Sequence, residues 1–285
     1  MKRKLIILLT LYILFKIFLN YQIIQTSIYH ISLIFFKNIF PALFIFFIIS
    51  SILINYGFVN IIAKLFGKFF CLVFGINSYQ TYILIMSMLS GLPSNAKYIN
   101  EMLDNNLITI KDANRIILFS HFANPLFILF IGLNKPHLIL IAHYLPNFII
   151  GLFTREKTEY KKEQAIKTSN KNFVDILSTS IISSFNVLLS VLGLIIIFYT
   201  LSSLTNSFIL KYILEMSSSI TYIVELNTIE KIKAMLVTGI LSFGGISVHM
   251  QVFAILNKKK IRYFPYLLAR LTHFMLSTLI IYFIY

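Results

Sequence analysis

The chain has 285 residues, of which 58% are hydrophobic and only 12% are charged. This composition excludes a soluble fold and predicts a polytopic all-α membrane protein, because backbone polar groups in hydrocarbon must be paired within the protein. The formal net charge of +15 comes from basic residues in short connections, which favours lipid headgroups over nucleic acid as their partners. A single cysteine, Cys71, excludes an internal disulfide and a cysteine-cluster metal site.

The first 29 residues are predicted to form a membrane anchor or a first span. They begin with the basic stretch MKRK and continue as an apolar run, a pattern that is also typical of signal peptides. No small-residue cleavage site follows the run, so we expect the segment to be retained. Lys2, Arg3 and Lys4 should then lie in the cytoplasm.

Residues 30–153 are predicted to form a first repeat, built from apolar runs of unequal length. A helix needs about 20 apolar residues to cross a bilayer. Three runs come near enough to that length to be predicted spans: 31–53, 113–133 and 137–153. Phe58–Phe74 is expected to lie in the membrane interface, because Lys64 and Lys68 share one helical face. Residues 81–92 are too short to cross.

The longest polar stretch, residues 154–172, separates the two halves of the chain. It contains six Lys or Arg and three Glu, which predicts a cytoplasmic loop. Residues 173–285 are predicted to form a second repeat of similar plan. Its elements are a span, an interfacial stretch, a short apolar run and a last span, at 176–201, 205–226, 234–243 and 263–285.

Each half contains a polar break inside an apolar region. The first is MSMLSGLPSNAKYINEML at 86–103, and the second is LSFGGISVHMQVFAIL at 241–256. A shift of about 152 residues superimposes them, and it also lays IKDANRIILFSHF, from Ile110, over IRYFPYLLARLTHF, from Ile261. This pattern predicts an internal duplication, with a chance match of weak apolar repeats as the alternative. The span at 137–153 has no counterpart, so an odd number of crossings inverts the second copy.

The predicted fold is therefore two inverted repeats, each with a re-entrant helical hairpin at its break. Gly91, Gly244 and Gly245 permit tight turns, and Pro93 suits the first turn of a returning helix. Non-helical backbone at membrane depth is tolerated only inside protein or beside water. The N-termini of the two returning helices would face one cavity, and such a geometry binds anions.

The polar residues near the breaks have structural as well as functional interpretations. Ser94 and Ser247 can cap the returning helices, and Lys97 can pair with Glu101. Amides can bond neighbouring helices, and Arg270 can snorkel toward the interface. An ionisable residue within a membrane is nevertheless a functional candidate. The candidate substrate-binding residues are Ser94, Asn95, Lys97, Asn100, Glu101, His121, Asn124, Gly245, Ser247, His249, Gln251 and Arg270.

The remaining chemistry-bearing residues form no recognisable constellation in the sequence. His30, His137 and His143 have no supporting residues around them. No nucleophile and base, and no set of metal ligands, occur at a workable spacing. We therefore expect no catalytic residue, no cofactor and no metal site.

Five motifs follow one another between residues 30 and 275: SGLPSNAKYINEML, NPLFIL after SHFA, HYLPNFIIGLF, FGGISVHMQVFAIL and YLLARLTHF. Together they resemble the YlbJ or SpoVV type of sporulation integral membrane proteins, whose domain is called the nucleoside recognition or Gate domain. The patterns SGxPxxAK and FGGxSVHxQ, in this order, carry most of the resemblance. Asn95 stands where that family more often has a small residue.

The resemblance implies transport, because that family is related to concentrative nucleoside transporters. It is thought to move dipicolinate from the mother cell across the outer forespore membrane during sporulation. We expect alternating access, with the planar dicarboxylate held by helix N-termini and by cations such as Lys97, His249 and Arg270. One alternative is a nucleoside or other small-molecule carrier that uses Asn100, Glu101 and Gln251.

A second alternative is a membrane assembly factor of spore formation that transports nothing. Under the main hypothesis the partners are the anionic solute and membrane lipid. Nucleic acid is not expected as a partner. The expected location is the bacterial cell membrane or the outer forespore membrane, with several crossings.

The inverted arrangement makes a topological prediction. The N-terminus and residues 154–171 should be cytoplasmic, whereas Lys258, Lys259 and Lys260 should lie on the opposite side, against the positive-inside tendency. Labelling of single cysteines with a membrane-impermeant reagent, in a Cys71→Ser background, measures this directly. A cytoplasmic position for Lys259 would overturn the inverted repeat.

Overall fold

The computed structural model describes residues 2–156, 172–205, 207–256 and 259–285, and within these ranges it contains helices and no strand. The helices before the polar loop are α1 Lys2–Leu19, α2 Tyr21–Ile34, α3 Phe40–Asn55, α4 Phe58–Phe74, α5 Ser78–Ser90, α6 Ser94–Asp104, α7 Ile110–Ile116, α8 Pro125–Leu129 and α9 Pro136–Phe153. A π-helical turn, Phe35–Ile39, joins α2 to α3.

The second half begins with the longest described helix and ends with a long apolar one. Its helices are α10 Phe173–Ser203, α11 Phe208–Leu214, α12 Met216–Glu225, α13 Glu230–Phe243, α14 Gly245–Ile255 and α15 Tyr263–Ile284. Most of the predicted polar loop, residues 157–171, lies outside the described residues, and so does Lys258. The predictions for those residues are therefore unchanged.

Among the described residues, four helical runs are long and apolar enough to cross a membrane. They are Pro136–Phe153, Phe173–Ser203, Glu230–Ile255 and Tyr263–Ile284. Two bent pairs add up to two more crossings: Arg3–Leu19 with Tyr21–Lys37, at 94°, and Leu43–Asn55 with Phe58–Phe74, at 87°. Bent pairs of this kind are consistent with re-entrant hairpins, but they lie near Asn20 and Gly57 and not at the two breaks predicted from the sequence. The predicted all-α, multi-pass membrane fold is confirmed.

The predicted interfacial helix Phe58–Phe74 has the bounds expected from the sequence. It turns sharply away from α3, with left-handed Gly57 between them. Lys64 and Lys68 are both exposed, as their shared face requires. The same bent pair could also form one broken crossing, so the interfacial location of this helix stays a prediction.

The predicted span at 113–133 is wrong. Helix α7 ends at Ile116, and α8 begins only at Pro125, so residues 117–124 are not helical. Asn124 caps α8, because its side-chain oxygen accepts from the backbone N–H groups of Leu126 and Phe127. Apolar side chains in this region, such as Phe119, are buried in the protein core instead of facing lipid.

The two sequence breaks differ in their surroundings. At the first, residues 91–93 separate α5 from α6, and these helices pack against each other. At the second, Gly244 separates α13 from α14, which together make the run Glu230–Ile255. The short run predicted at 234–243 is therefore part of a longer, broken helix.

Positions related by the predicted duplication contact each other. The carbonyl of Leu118 accepts a hydrogen bond from Arg270, which lies 152 positions later. His121 and His273 have the same spacing, and their ring centroids are 5.9 Å apart. The two returning helices, α6 and α14, also pack together. A pseudo-twofold axis between two copies would produce such contacts, and the orientation of the copies in the membrane stays a prediction.

Gly91 has a backbone conformation that only glycine adopts readily, with φ 79° and ψ −172°. A Cβ atom there would also lie 2.7 Å from the Asn124 Cα. We expect Gly91→Ala to lower the free energy of unfolding by at least roughly 1–3 kcal/mol from backbone strain alone. Thermal unfolding in lipid nanodiscs measures the loss.

Gly193→Ala is the matched control for that change. Gly193 lies within α10, and a Cβ atom there would meet no atom within 4 Å. This variant should be neutral or more stable by up to about 1 kcal/mol, because alanine favours a helix. Equal stability of the two variants would contradict a steric requirement at the first break.

Candidate functional site

The non-helical residues 117–124, here called the central segment, lie against both helix breaks. At the first break, the Asn124 amide donates to the Ser90 carbonyl at 3.2 Å. At the second, a Cβ atom on Gly244 would come within 3.0 Å of the His121 ring. The central segment is therefore the place where the two halves of the molecule meet.

Helix α7 holds one end of the central segment in place. Its start is a capping box between Thr109 and Asp112. Arg115 donates from Nη2 to the carbonyls of Phe74 and Gly75, both at 2.6 Å, and so ties α7 to the end of α4. Sequence reasoning assigned no role to this arginine.

An ion cluster extends this attachment to the end of α9. The hydrogen bond from Lys111 to Glu156, at 2.7 Å, lowers the pKa of that carboxyl, and the nearby Arg115 guanidinium contributes to the same shift. A carboxyl with a lowered pKa stays ionised under mildly acidic conditions, so the cluster persists there. It lies at the ends of α7 and α9.

Side chains from α9 and α15 satisfy the backbone of the central segment. Asn147 donates to the His121 carbonyl at 2.6 Å, and His143 Nε2 accepts from the Ala123 N–H at 2.9 Å. Arg270 donates from Nη2 to the Leu118 carbonyl. Backbone groups that have lost their helix partners are thereby paired inside the protein.

Six fully buried side chains of titratable residues lie around the central segment, and we call them the central cluster. They come from the central segment and from α9, α14 and α15: His121, His143, His249, Tyr266, Arg270 and His273. The three residues on α15 follow a spacing of four and three, which places them on one helical face. No group of His, Cys, Asp or Glu among the described residues has a geometry suited to a metal ion.

Hydrogen bonds assign the protonation of two of these histidines. His143 accepts at Nε2, so its Nδ1–H donates to Ser242 Oγ at 3.0 Å. His273 donates from Nε2 to the His143 carbonyl at 2.7 Å and accepts at Nδ1 from Arg270 at 2.8 Å. Both rings are therefore neutral and fixed in one tautomer.

His249 is also bonded at both ring nitrogens. Its Nε2 donates to the Phe243 carbonyl at 2.9 Å, across the second break, and its Nδ1 lies 3.2 Å from the Tyr263 hydroxyl. His121 differs, because its Nδ1 lies 3.3 Å from the Tyr266 hydroxyl whereas its Nε2 has no partner. One ring in the cluster thus keeps an open position.

Arg270 is the only cation of the central cluster. It is 0% exposed, and none of the ion pairs among the described residues includes it. Its guanidinium carbon lies 5.5 Å from the centre of the Tyr266 ring. The interpretation of Arg270 as a snorkelling surface residue is wrong, since its donors point to groups inside the protein.

Several buried polar atoms at the centre have no hydrogen-bond partner within the described structure. An unpaired buried donor or acceptor costs about 1–3 kcal/mol, so a further polar partner bonded to a group of them would offset that cost. Around the central segment these atoms are Ser120 Oγ, His121 Nε2, Asn147 Oδ1 and Arg270 Nε. The donors in this set, Ser120 Oγ and Arg270 Nε, suit the acceptor oxygen atoms of a small ligand.

Some of the candidate residues near the first break already bond to other groups of the protein. Lys97 Nζ lies 3.3 Å from Glu101 Oε1, donates to the Phe47 carbonyl at 2.7 Å and lies 4.7 Å from the Phe47 ring centre. The predicted salt bridge is therefore present. Three atoms nearby lack partners, namely Ser94 Oγ, Asn95 Nδ2 and Glu101 Oε2.

The interpretation of Ser94 and Ser247 as helix caps is wrong. Neither α6 nor α14 has a side-chain capping bond, and the cap positions belong to Pro93 and Gly244. Ser247 Oγ instead accepts from Gln251 at 3.1 Å. Both serines are buried, so they face the protein interior.

Three further candidates have roles that the structure assigns locally. The Asn100 amide donates to Asp104 at 2.8 Å on the outer side of α6, apart from the central cluster. Asn124 joins α8 to the first break, as described above. Gly245 has φ 67°, and its neighbours are the carbonyl of Ile213 and the N–H of Met216.

Sequence reasoning missed His143, which was expected to lack a constellation. His143 and Asn147 are four residues apart on α9 and both contact the central segment. That spacing, in an apolar span, was the available signal. His30 and His137 are exposed and take no part in the centre.

A cleft of about 550 Å³ opens elsewhere on the molecule. It lies beside the connection between α6 and α7 and includes Asp112 and Lys259, but none of the candidate residues. The polar atoms without partners lie at the central segment and at the first break. We therefore place the candidate site there and not in this cleft.

A comparison with known proteins finds a similar membrane protein. The chain is 28% identical over 287 residues to the sporulation integral membrane protein YlbJ of Bacillus subtilis (strain 168), covering 82% of this chain and 70% of that protein. No family model and no solved structure matches the chain. The similarity supports the YlbJ-type assignment and an integral location in a membrane.

The pair Lys97 and Glu101 makes a prediction about stability. Lys97→Gln leaves a mostly buried carboxylate without its cation and should lower the free energy of unfolding by on the order of 3 kcal/mol. Adding Glu101→Gln should restore most of that loss, because no charge is stranded. Thermal unfolding of the single and double variants measures the coupling.

Lys111→Gln serves as the matched control, since its pair with Glu156 is exposed. Its effect should be about 1 kcal/mol or less. If the double variant at 97 and 101 were no more stable than Lys97→Gln, the pair would not be the reason for the buried lysine.

Proposed function

We propose that this protein carries a small anionic solute across a membrane of the sporulating cell, with the solute bound at the central segment between the two helix breaks. The similarity to a sporulation integral membrane protein supports the membrane and the process. The charge of the solute is inferred from the central cluster. No residue is assigned a catalytic role.

The observation that carries the proposal is the unpaired charge of Arg270. A cation buried in a low-dielectric interior is costly unless an opposite charge compensates it. Arg270 has no carboxylate partner among the described residues, and its Nε is buried without a bond. A bound anion would supply both the charge and the missing acceptor.

The other unpartnered atoms favour a ligand with two acceptor groups. One carboxylate would receive hydrogen bonds from Arg270, and a second would find donors at Ser120 and His121. A planar dicarboxylate has this form, and dipicolinate is the dicarboxylate implied by the resemblance to sporulation proteins. We therefore propose dipicolinate as the cargo.

We propose alternating access as the mechanism. Non-helical backbone in a membrane protein is tolerated where it is buried in protein or lines a cavity, and in transporters broken helices supply polar groups to the binding site. Here the central segment is held by α9 and α15 on one side and meets both breaks on the other. Small rotations of the two halves about this segment would open it to one side of the membrane at a time.

A nucleoside carrier of the same architecture is the second candidate. Glu101 Oε2 and Asn95 Nδ2 are buried without partners, and an acceptor with an amide donor suits a nucleobase. Lys97 already occupies the other oxygen of Glu101, at 3.3 Å. An assembly factor that transports nothing would instead need polar groups that are all mutually satisfied, and several here are not.

Uptake by liposomes containing the purified protein tests the proposal. Labelled dipicolinate should be transported, and labelled uridine should not. Arg270→Gln keeps a donor for the Leu118 carbonyl but removes the charge. Because a hydrogen bond to a charged group contributes roughly 1.5–3 kcal/mol, the affinity for dipicolinate should fall by about ten- to a hundredfold.

Lys64→Gln is the matched control, because it removes an exposed cation from α4 and should leave affinity unchanged. Thermal unfolding of both variants separates a binding defect from misfolding. Transport of uridine without dipicolinate would favour the nucleoside carrier. Absence of uptake of either solute by folded protein would favour the assembly factor.

A further inference from the structure

The central cluster contains four histidines, of which three have a partner at both ring nitrogens and one does not. His143, His249 and His273 each have a partner at both ring nitrogens. His121 has a partner only at Nδ1, and its Nε2 is buried and unpaired. It is the histidine of the central cluster that keeps a ring nitrogen free for a new partner.

Adding a proton to either His143 or His273 would set two donors against each other. His143 Nε2 already faces the Ala123 N–H, and His273 Nδ1 already faces an N–H of Arg270. His249 donates to a carbonyl from Nε2 and has the Tyr263 hydroxyl at Nδ1, so even a protonated His249 would have no nitrogen left for a ligand. Protonated His121 would instead donate from Nδ1 to the Tyr266 hydroxyl and from Nε2 to a new acceptor.

The groups that face His121 come from four elements. Gly244, at the second break, lies against the edge of its ring. On α15, Tyr266 is bonded to it, His273 lies 5.9 Å from it by ring centroids, and Arg270 contacts both of these residues. His143 of α9 stacks on His273 at 4.8 Å, and His249 of α14 lies 5.1 Å from the Tyr266 ring.

None of these facing groups is a carboxylate. The charged neighbour of His121 is the cation Arg270, so a proton on His121 would create a second positive charge in the same buried cluster. Two like charges in a low-dielectric interior repel strongly. His121 is therefore neutral while the site is empty of anion.

We propose that His121 is a proton-binding site coupled to the anion, so that the protein takes up one proton together with each dicarboxylate. This inference rests on the proposed function and adds the coupled ion to it. A dicarboxylate beside Arg270 brings a second negative charge, which the protonated His121 neutralises through an Nε2–H bond. The proton comes from the solution on the side to which the site is open, and it leaves with the anion.

Linkage makes the coupling reciprocal. If the anion raises the affinity of His121 for a proton, the proton must raise the affinity of the site for the anion by the same factor. The apparent dissociation constant for the anion should therefore increase with pH, by at most about tenfold for each unit once His121 has lost its proton. Carboxyl groups of the ligand stay ionised above about pH 6 and do not contribute to this slope.

Calorimetric binding of dipicolinate to the purified protein tests the inference. Titrations in buffers of different ionisation enthalpy give the number of protons taken up per ligand bound. The wild-type protein should take up about one proton at a pH where free His121 is neutral. In His121→Gln the uptake should be close to zero and the affinity nearly independent of pH, because glutamine offers a donor that does not titrate.

His137→Gln is the matched control, since it removes an exposed histidine outside the cluster. It should keep the proton uptake and the pH dependence of the wild-type protein. Binding of dipicolinate by the wild-type protein without proton uptake would overturn the coupling and leave the carrier intact. Equal proton uptake in His121→Gln would also overturn it, and failure of the folded wild-type protein to bind dipicolinate at any pH would overturn the proposed function itself.

Discussion

The central segment can remain unwound within the protein only because other helices take its backbone hydrogen bonds. Arg270 donates to the Leu118 carbonyl, Asn147 donates to the His121 carbonyl, and His143 accepts from the Ala123 N–H. In hydrocarbon each of these groups would otherwise cost several kcal/mol. This requirement links α9 to α15, because both helices present polar side chains to the same segment.

That requirement also explains why the centre is rich in histidine and contains an arginine. A side chain that holds a backbone carbonyl or N–H must have donors or acceptors to spare, and both residue types have several. Once the backbone bonds are made, Arg270 Nε and His121 Nε2 are left over. The proposed ligand site thus consists of those polar atoms of the hydrogen-bond network that have no partner within the protein. These atoms lie where the two halves of the molecule meet.

The contacts across the junction connect the two copies of the predicted duplication. Leu118 meets Arg270, and His121 meets His273, each pair 152 positions apart. One copy is unwound where the other is helical, since α15 continues through the positions that correspond to the central segment. The difference follows from Asn124 and Pro125, which start a new helix and have no equivalent in α15. The centre is therefore asymmetric although its parts correspond.

The sequence by itself determined the class of the protein, the breaks and most of the helices. Apolar composition and length identified a multi-pass helical membrane protein, and the glycines marked both breaks, because few other residues adopt their backbone conformations. Arg270, His121 and His249 were recognised as candidates because an ionisable group buried in a membrane protein is costly and is usually functional.

The tertiary structure decided what those residues contact. An apolar run such as 113–133 has the same composition whether it faces lipid or the protein core. Asn124 and Pro125 were the local signal for a break in that run, and the extent of the unwinding depends on the packing around it. His143 was missed because its partners, Ala123 and Ser242, lie in other segments of the chain. Ser94 was misassigned as a cap because the cap position is Pro93, one residue before it. Which nitrogen stays open and which charge stays unpaired depends on these long-range contacts, and only the packed structure determines them.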